Sequence, residues 1–573
     1  MDNMRNMMLA IVLMALVLFG WPVMTQHFFP AANPPATKVV DGKSVPLPSP
    51  GAVTPAAPAT GGATTLRDRA AVLGESPRVR IETPRLQGSI ALRGAELDDL
   101  VLPTYRETIA KNSPPIRLLS PAGTADTYFA SFGWAGNGVT LPGKDSLWTA
   151  SGDVLAPGRP VTLSWTNPQG IRFQIRLAVD DGYMFTIDQS VANGGSAPVA
   201  LRPYGLVSRV GVSKDPSSHT IHTGPIGAFN GKANYSVNFK DLDGEGPAGT
   251  RFASKGGWLG FTDKYWLTAL IPDQKTPVDA SFRAGPGSSY QADFTTPPTI
   301  VAPGAEAHAT SRFFAGAKEV NMLDRYEDRL GITHFGKAID WGWFEVLEKP
   351  IFKVLDWLFR AVGNFGVAII LLTVLVRGLM FPIAQRQFQS MAAMRSLQPK
   401  MKALQERHKD DKPKLQQEMM ELYKREKVNP LAGCLPIFIQ IPIFYALYKV
   451  LMLTIEMRHQ PFALWIKDLS APDPMTPVNL FGLLHFTPPG FLAIGVLPIL
   501  LGVTMYFQFK LNPQPMDDMQ KQVFSIMPWI FMFIMAPFAA GLQLYWTTTN
   551  LLTIAQQKWL YSRHPALQQT PAK

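Results

Sequence analysis

Between about residues 78 and 314 the apolar positions recur with a period of two. Ile171, Phe173, Ile175, Leu177 and Val179 alternate with Arg172, Gln174, Arg176 and Ala178, as in a strand with one buried and one mostly polar face. Asp181-Gly182 then turns the chain into Tyr183, Phe185 and Ile187, which predicts a hairpin. Similar short runs at 86–92, 161–165, 235–239 and 265–271 extend the pattern. An all-β sandwich over residues 78–320 is expected.

Beyond it the period lengthens. Trp341, Phe344, Leu347 and Ile351 are spaced by three and four with Glu345, Glu348 and Lys349 between them. This predicts an amphipathic helix over 341–353 that suits a membrane interface, although an ordinary surface helix has the same pattern. Long apolar runs follow at 362–381, 431–453, 491–509, 523–540 and 542–560, each near the ~20 residues that span a bilayer. Another uncharged run, 7–21, lies behind Arg5, and residues 22–26 offer no small-x-small cleavage site. It reads as an uncleaved anchor over 1–25. The fold class expected is thus a polytopic α-helical membrane protein with six transmembrane helices plus the β-sandwich. Its segments are the anchor, a Pro/Ala-rich linker at 26–77, the sandwich, the interfacial helix, a second span at 354–382 and a helical hairpin at 386–428. A third span at 430–455, a loop at 456–490, spans at 491–509, 523–540 and 541–560, and a short tail at 561–573 complete it. Pro436, Pro442, Pro498, Pro528 and Pro537 fall inside the runs, where neighbouring groups take up the freed carbonyls.

Charge orients this arrangement. The 573 residues include 54 Lys plus Arg and 43 Asp plus Glu, a net charge of +11, yet only 17% are charged against roughly 25% in soluble domains. Eleven Lys or Arg lie between Arg386 and Lys427, whereas 456–490 holds only Arg458 and Lys467. The positive-inside rule makes the hairpin cytoplasmic and the 456–490 loop periplasmic. Both termini are then cytoplasmic and the sandwich periplasmic. The single cysteine, Cys434, excludes an internal disulfide framework and any all-cysteine metal site. A Gram-negative inner membrane fits these features. In the hairpin, Met391, Met394, Met401 and Leu404 precede Asp410-Asp411-Lys412-Pro413, and Leu415, Met419 and Leu422 follow. The adaptable seam suits either a hydrophobic client or simple packing of one helix on the other.

Few residues carry chemistry. Arg377 lies within an apolar run four residues from Phe381, about 6 Å along a helix. It either faces a wet cavity or snorkels to the headgroups. Thr373 is one turn away, Gln440 lies inside its run, and Gln543, Thr547, Asn550 and Gln557 line one stripe of the last helix. Such a stripe faces protein or water rather than lipid, by hydrogen bonding between helices or by lining a polar cavity. His219-x-x-His222 beside Asp215 is a weak metal pattern, and Gly244-x-Gly246-x-x-Gly249 lacks the strand-to-helix context of a dinucleotide site. No P-loop, G-x-S-x-G or H-E-x-x-H occurs. No enzyme activity, catalytic residue, metal or cofactor is therefore expected.

The stretch QRQFQSMAAMRSLQPKMKALQERHKDDKPKLQQEMMELYKREKVNPLAGCLPIFIQIPIFYALYKVL, followed by PFALWIKDLS, resembles the core of the YidC family of membrane protein insertases over about 341–561. The resemblance implies a five-helix insertase core with a hydrophilic inner-leaflet groove, open to cytoplasm and lipid and closed toward the periplasm. In this chain Arg377 would supply its positive charge, with Thr373, Gln440, Gln543 and Trp546 lining it. Related Gram-negative members often have Tyr where Trp546 stands, and Trp donates a hydrogen bond but accepts none. Phe444, Leu447, Ile530 and Ile534 would form a hydrophobic slide for the incoming helix. The implied partners are nascent membrane proteins, membrane lipids, the Sec translocon, and ribosomes through the hairpin, without nucleic-acid specificity. Two readings from other classes remain at this point: a small-anion transporter using the same arginine, and an envelope enzyme or sugar-binding protein centred on the sandwich.

Overall fold

The computed structural model describes residues 37–40, 43–46, 66–214, 221–408, 411–426, 435–484, 486, 493–511 and 518–563. The expected anchor, most of the linker, Asp215, His219, Cys434 and the end of the tail lie outside the described residues, as do the side chains of Met391 and Met394. The chain divides into two compact units, one ending at Asp340 and the other resuming at Trp341.

The first unit is a β-sandwich of a nine-stranded and an eleven-stranded sheet. Strand Ile171–Val179 pairs antiparallel with Met184–Asn193, with Val179 opposite Phe185. Its Phe173, Ile175 and Leu177 are buried while Arg172 and Arg176 are exposed. The turn between these strands is made by Asp180, whose carboxylate accepts from Gly182 N at 2.9 Å and Met184 N at 3.0 Å. Tyr326 donates to the same carboxylate at 2.7 Å, and a Cβ on Gly182 would come within 2.2 Å of the Tyr326 hydroxyl. Side chains from the two inner faces meet across the core. Phe132 packs against Phe313 with ring centroids 6.1 Å apart, Trp134 against Phe173 at 5.1 Å, and the Tyr128 hydroxyl hydrogen-bonds Thr268 at 2.5 Å. Helices are few here: α1 (Arg69–Leu73), α2 (Phe239–Glu245) and α3 (Val320–Leu330).

One predicted strand is absent. Residues 235–238 form no strand because Asn238 and Asp241 make a reciprocal capping box, Asp241 N donating to Asn238 at 2.9 Å, that starts α2 at Phe239. Local side-chain hydrogen bonds here override the alternating pattern. Gly246 ends the same short helix with a positive φ of 61°, so the glycine triplet is punctuation.

The second unit is helical: α4 (Glu345–Val362), α5 (Phe365–Leu379), α6 (Phe381–Arg407), α7 (Lys412–Arg425), α8 (Leu435–Leu453), α9 (Val496–Leu511), α10 (Asp518–Met535) and α11 (Ala540–Arg563). α4 packs on α5 and α8, α5 on α11, and α9 on both α10 and α11. α6 and α7 pack on each other through Leu397, Met401 and Leu422, with Leu404, Met419 and Tyr423 around them.

The junction between the interfacial helix and the second span differs from expectation. Gly363 has φ 69°, and Asn364 caps α5 by accepting from Val367 N at 3.0 Å. The helix beginning near Trp341 therefore runs on to Val362, and the apolar run yields only the 15 residues of α5. Left-handed backbone and a new N-cap end one helix and start another whatever the hydropathy. Among the described residues no helix is both long and apolar enough to cross a membrane, so the six spans expected from hydropathy are not seen as such.

Candidate functional site

One end of the helical unit is closed by the described residues of the segment 454–495, which supply acceptors at three helix N-termini. Asn364, the α5 cap, donates to Phe462 O at 2.8 Å. Val496 N and Leu497 N of α9 donate to Met475 O at 3.0 Å and to the Asp473 carboxylate at 2.7 Å. Ala540 N and Gly541 N of α11 donate to Ala471 O at 2.8 Å and Leu469 O at 2.9 Å. The Asn364 donor is its side-chain amide, whereas the backbone N–H groups of α9 and α11 have no partner inside their own helices. Asp473, 4% exposed, also accepts from Trp465 Nε1 at 2.9 Å and Met475 N at 3.0 Å. Contact is close enough that a Cβ on Gly366 would lie 2.1 Å from the Phe462 ring.

Toward the other end of α5, in its last turn, stands Arg377. It lies 13 residues beyond Asn364, about 20 Å at ~1.5 Å per residue. On the facing helices Gln440 Nε2 of α8 donates to the Tyr545 hydroxyl of α11 at 3.0 Å, and Tyr545 lies within electrostatic range of the Arg377 guanidinium. Three helices thus contribute to one polar seam. Thr373 is fully buried and donates to Ile369 O of its own helix at 2.6 Å. Trp546 lies between Phe444 and Phe531, with ring centroids at 4.3 and 4.5 Å.

Gln543 is not at this seam. Its side-chain amide donates to Met535 O at 2.9 Å and Phe538 O at 2.8 Å, fastening the turn between α10 and α11. Asn550 donates to Thr504 at 3.1 Å and ties α11 to α9. The four apolar residues assigned to a slide also part company. Phe444 is half-buried beside Trp546, Leu447 is fully buried, and Ile530 and Ile534 are 51% and 50% exposed on α10.

Sequence reasoning missed Tyr545, which falls off the Gln543–Thr547–Asn550 stripe and reads as an ordinary aromatic. It also missed two buried charges, Glu348 and Lys449, at 0% and 3% exposure. They lie on α4 and α8, helices that pack together. A lysine one turn from the end of an apolar run has the same pattern as one that snorkels.

Around these polar groups the outer faces are apolar. Val367, Leu371, Val374, Leu375 and Leu379 are exposed along one side of α5, and Ile526, Trp529, Ile530, Phe533 and Ile534 along α10. Outside the helical unit, His222 hydrogen-bonds Pro225 O at 2.7 Å. Among the described residues no three His, Cys, Asp or Glu cluster to hold a metal.

Residues 78–354 match the family described as YidC periplasmic domain, and residues 357–567 the family described as 60Kd inner membrane protein. A membrane protein insertase YidC from Zymomonas mobilis is 53% identical, with 98% of this chain and 95% of that protein covered. Another from Methylobacterium radiotolerans is 48% identical over the same shares. A crystal structure of an active YidC insertase with its first transmembrane domain resolved aligns at 18% identity and a TM-score of 0.36, covering 84% of this chain and 92% of that one.

Proposed function

The chain belongs to the YidC family of membrane protein insertases, and from that premise we propose that the seam around Arg377 is the groove through which a client's polar segment crosses. It is an insertase, not an enzyme, and it carries a periplasmic domain. The carrying observation is one geometry. A hydrogen-bonded amide and phenol from two helices lie within electrostatic range of a cation on a third, in a bundle whose outer faces are apolar and whose opposite end is closed.

Six spans, with both termini and the α6–α7 hairpin cytoplasmic and the sandwich and 454–495 periplasmic, make physical sense of those apolar faces. Five belong to the insertase core, and α4 lies along the interface. At ~1.5 Å per residue, the 15 residues of α5 reach about 22 Å, short of the ~30 Å hydrocarbon core, so the bilayer thins beside them. An acidic or polar segment entering from the cytoplasm then has less hydrocarbon to cross. Arg377, Gln440 and Tyr545 offset part of its desolvation, with Thr373 and Trp546 shaping the wall. Phe444, Ile530 and Ile534 guide the client's apolar helix toward lipid, and Leu447 backs them. Transfer of that helix, worth ~0.3 to 0.6 kcal/mol per Leu, Ile, Phe or Val, drives the step without nucleotide or cofactor. The Sec translocon and, at the basic hairpin, the ribosome are the partners that would deliver such clients.

Reconstituted Arg377→Gln and Arg377→Lys proteins test this. An unpaired acidic residue at mid-membrane costs roughly 2.5 to 3.5 kcal/mol, so offsetting half of it is worth about tenfold in rate. Arg377→Gln is expected to slow a client with an acidic translocated tail about tenfold and one with a neutral tail far less, while Arg377→Lys keeps most activity. Equal rates for all clients would remove Arg377 from the mechanism.

A further inference from the structure

We propose that the loop between Thr476 and Phe486 inserts its tip among the lipid acyl chains of the leaflet at the closed end of the bundle, anchoring the 454–495 cap to the membrane. This inference rests on the reading of the helical unit as membrane-embedded. Val478, Leu480, Phe481, Leu483, Leu484 and Phe486 are all exposed, Leu483 at 76%. In the sandwich, exposed large apolar residues such as Ile109, Val212 and Ile300 stand singly. Six within nine positions form a patch of the kind that marks an interaction surface.

The loop is built rather than loose. Thr476 and Asn479 are buried at its base, where the Thr476 hydroxyl bonds the Asn479 side chain at 3.0 Å. Leu480 and Phe481 both adopt left-handed backbone, with φ of 50° and 58°. For residues with side chains this conformation is strained and persists only where the surroundings impose it. Phe481 N donates to Thr476 O at 2.8 Å, Leu484 N to Asn479 O at 3.1 Å and Phe486 N to Leu484 O at 2.9 Å. Irregular backbone can leave water only when its polar groups are satisfied in this way.

The chemistry around the tip selects lipid as the occupant. From 474 to 509 the sequence contains no Asp, Glu, Lys or Arg. The exposed large side chains described at the tip are Val, Leu and Phe, and His485 is the sole ionisable residue of the loop. Such a surface offers little to orient a protein partner, whereas acyl chains require nothing more. Further along the chain α9 also exposes Leu500, Tyr506 and Phe507.

Spin-label accessibility in the full-length chain tests the inference. In a Cys434→Ser background, nitroxides at Leu483→Cys, at Val374→Cys on the exposed face of α5 and at Ile300→Cys on the sandwich are compared in phosphatidylethanolamine/phosphatidylglycerol vesicles. The label at 483 is expected to resemble that at 374, with an oxygen-to-nickel-chelate accessibility ratio several-fold above that at 300. A ratio matching position 300 puts the tip in water and overturns the proposal, and shielding from both probes means that protein covers it and overturns it too. A nickel-accessible label at 374 would instead sink the membrane reading of the bundle. Client insertion by each labelled protein reports loss of fold separately.

Discussion

The two units differ most in what they leave exposed, since each also buries charged side chains, Arg283 and Asp293 in the sandwich among them. In the sandwich, Phe173, Phe185, Phe313 and Phe314 are buried at 0% exposure, and Arg172 and Arg176 face out. In the helical unit the fully or nearly buried residues include Glu348, Thr373, Lys449, Gln543 and Asn550, while Trp357, Leu379, Phe533 and Ile534 are exposed. The same physics gives both outcomes once the surroundings differ. Water takes polar side chains outward and leaves apolar ones to form the core. Lipid leaves apolar side chains nothing to escape, so the polar ones turn inward to find partners.

Truncating one large apolar residue in each unit is the strongest way to break this contrast. Phe313→Ala removes a ring packed between Phe132 and Phe185 and is expected to cost about 3 to 5 kcal/mol in denaturant unfolding of the sandwich. Phe533→Ala, at a 54% exposed position, is expected to change bundle stability in lipid far less. Equal losses would mean that α10 faces protein.

A smaller effect comes from pH. Burial, reinforced by the neighbouring Asp98 carboxylate, pushes Glu96 up to about 7 from its usual 4.5. Between those pH values the folded chain keeps a proton that the unfolded chain has released, so the stability contribution is full below about pH 4.5 and lost as pH rises toward 7. Thermal unfolding of the sandwich is expected to weaken by about 1 to 2 kcal/mol between pH 5 and 7.5, and Glu96→Gln to flatten that slope. A loss in the bundle that Glu96→Gln also flattens would mean that the two units do not unfold independently.

The smallest expected effect sharpens the comparison inside the bundle. Asn550→Leu removes the bond to Thr504 and is expected to cost about 0.6 kcal/mol, at most ~1.7, because a buried amide in a membrane bundle finds other partners when unfolded. Gln189→Leu, which removes a 2.7 Å bond to Gly133 O inside the sandwich, is expected to cost about 1 to 3 kcal/mol. Reversed magnitudes in unfolding measurements would contradict the assignment of solvents.

Much of the fold was legible in the residues. Alternation marked the strand Ile171–Val179 and its hairpin partner because each side chain there simply chooses core or water. Alternation failed at 235–239, where Asn238 and Asp241 hydrogen-bond their own backbone. Hydropathy found the apolar runs but not their breaks, since Gly363 and Asn364 act through backbone geometry and capping. At the seam, spacing drew attention to Arg377 and Gln440. It missed Tyr545, and it set Gln543 beside them when that side chain fastens a turn. A helical stripe records which side chains share a face, while partners on other helices depend on how those helices cross.

The sequence alone determined the two unlike units, the family and the basic hairpin, because period, charge distribution and motif are properties of neighbours along the chain. Only the tertiary structure decided that 454–495 closes one end of the bundle, that Gln440 and Tyr545 join near Arg377, and that the Leu480–Leu484 tip is held outward. The first two of these join residues tens to more than a hundred positions apart, and only the packed chain brings such groups together.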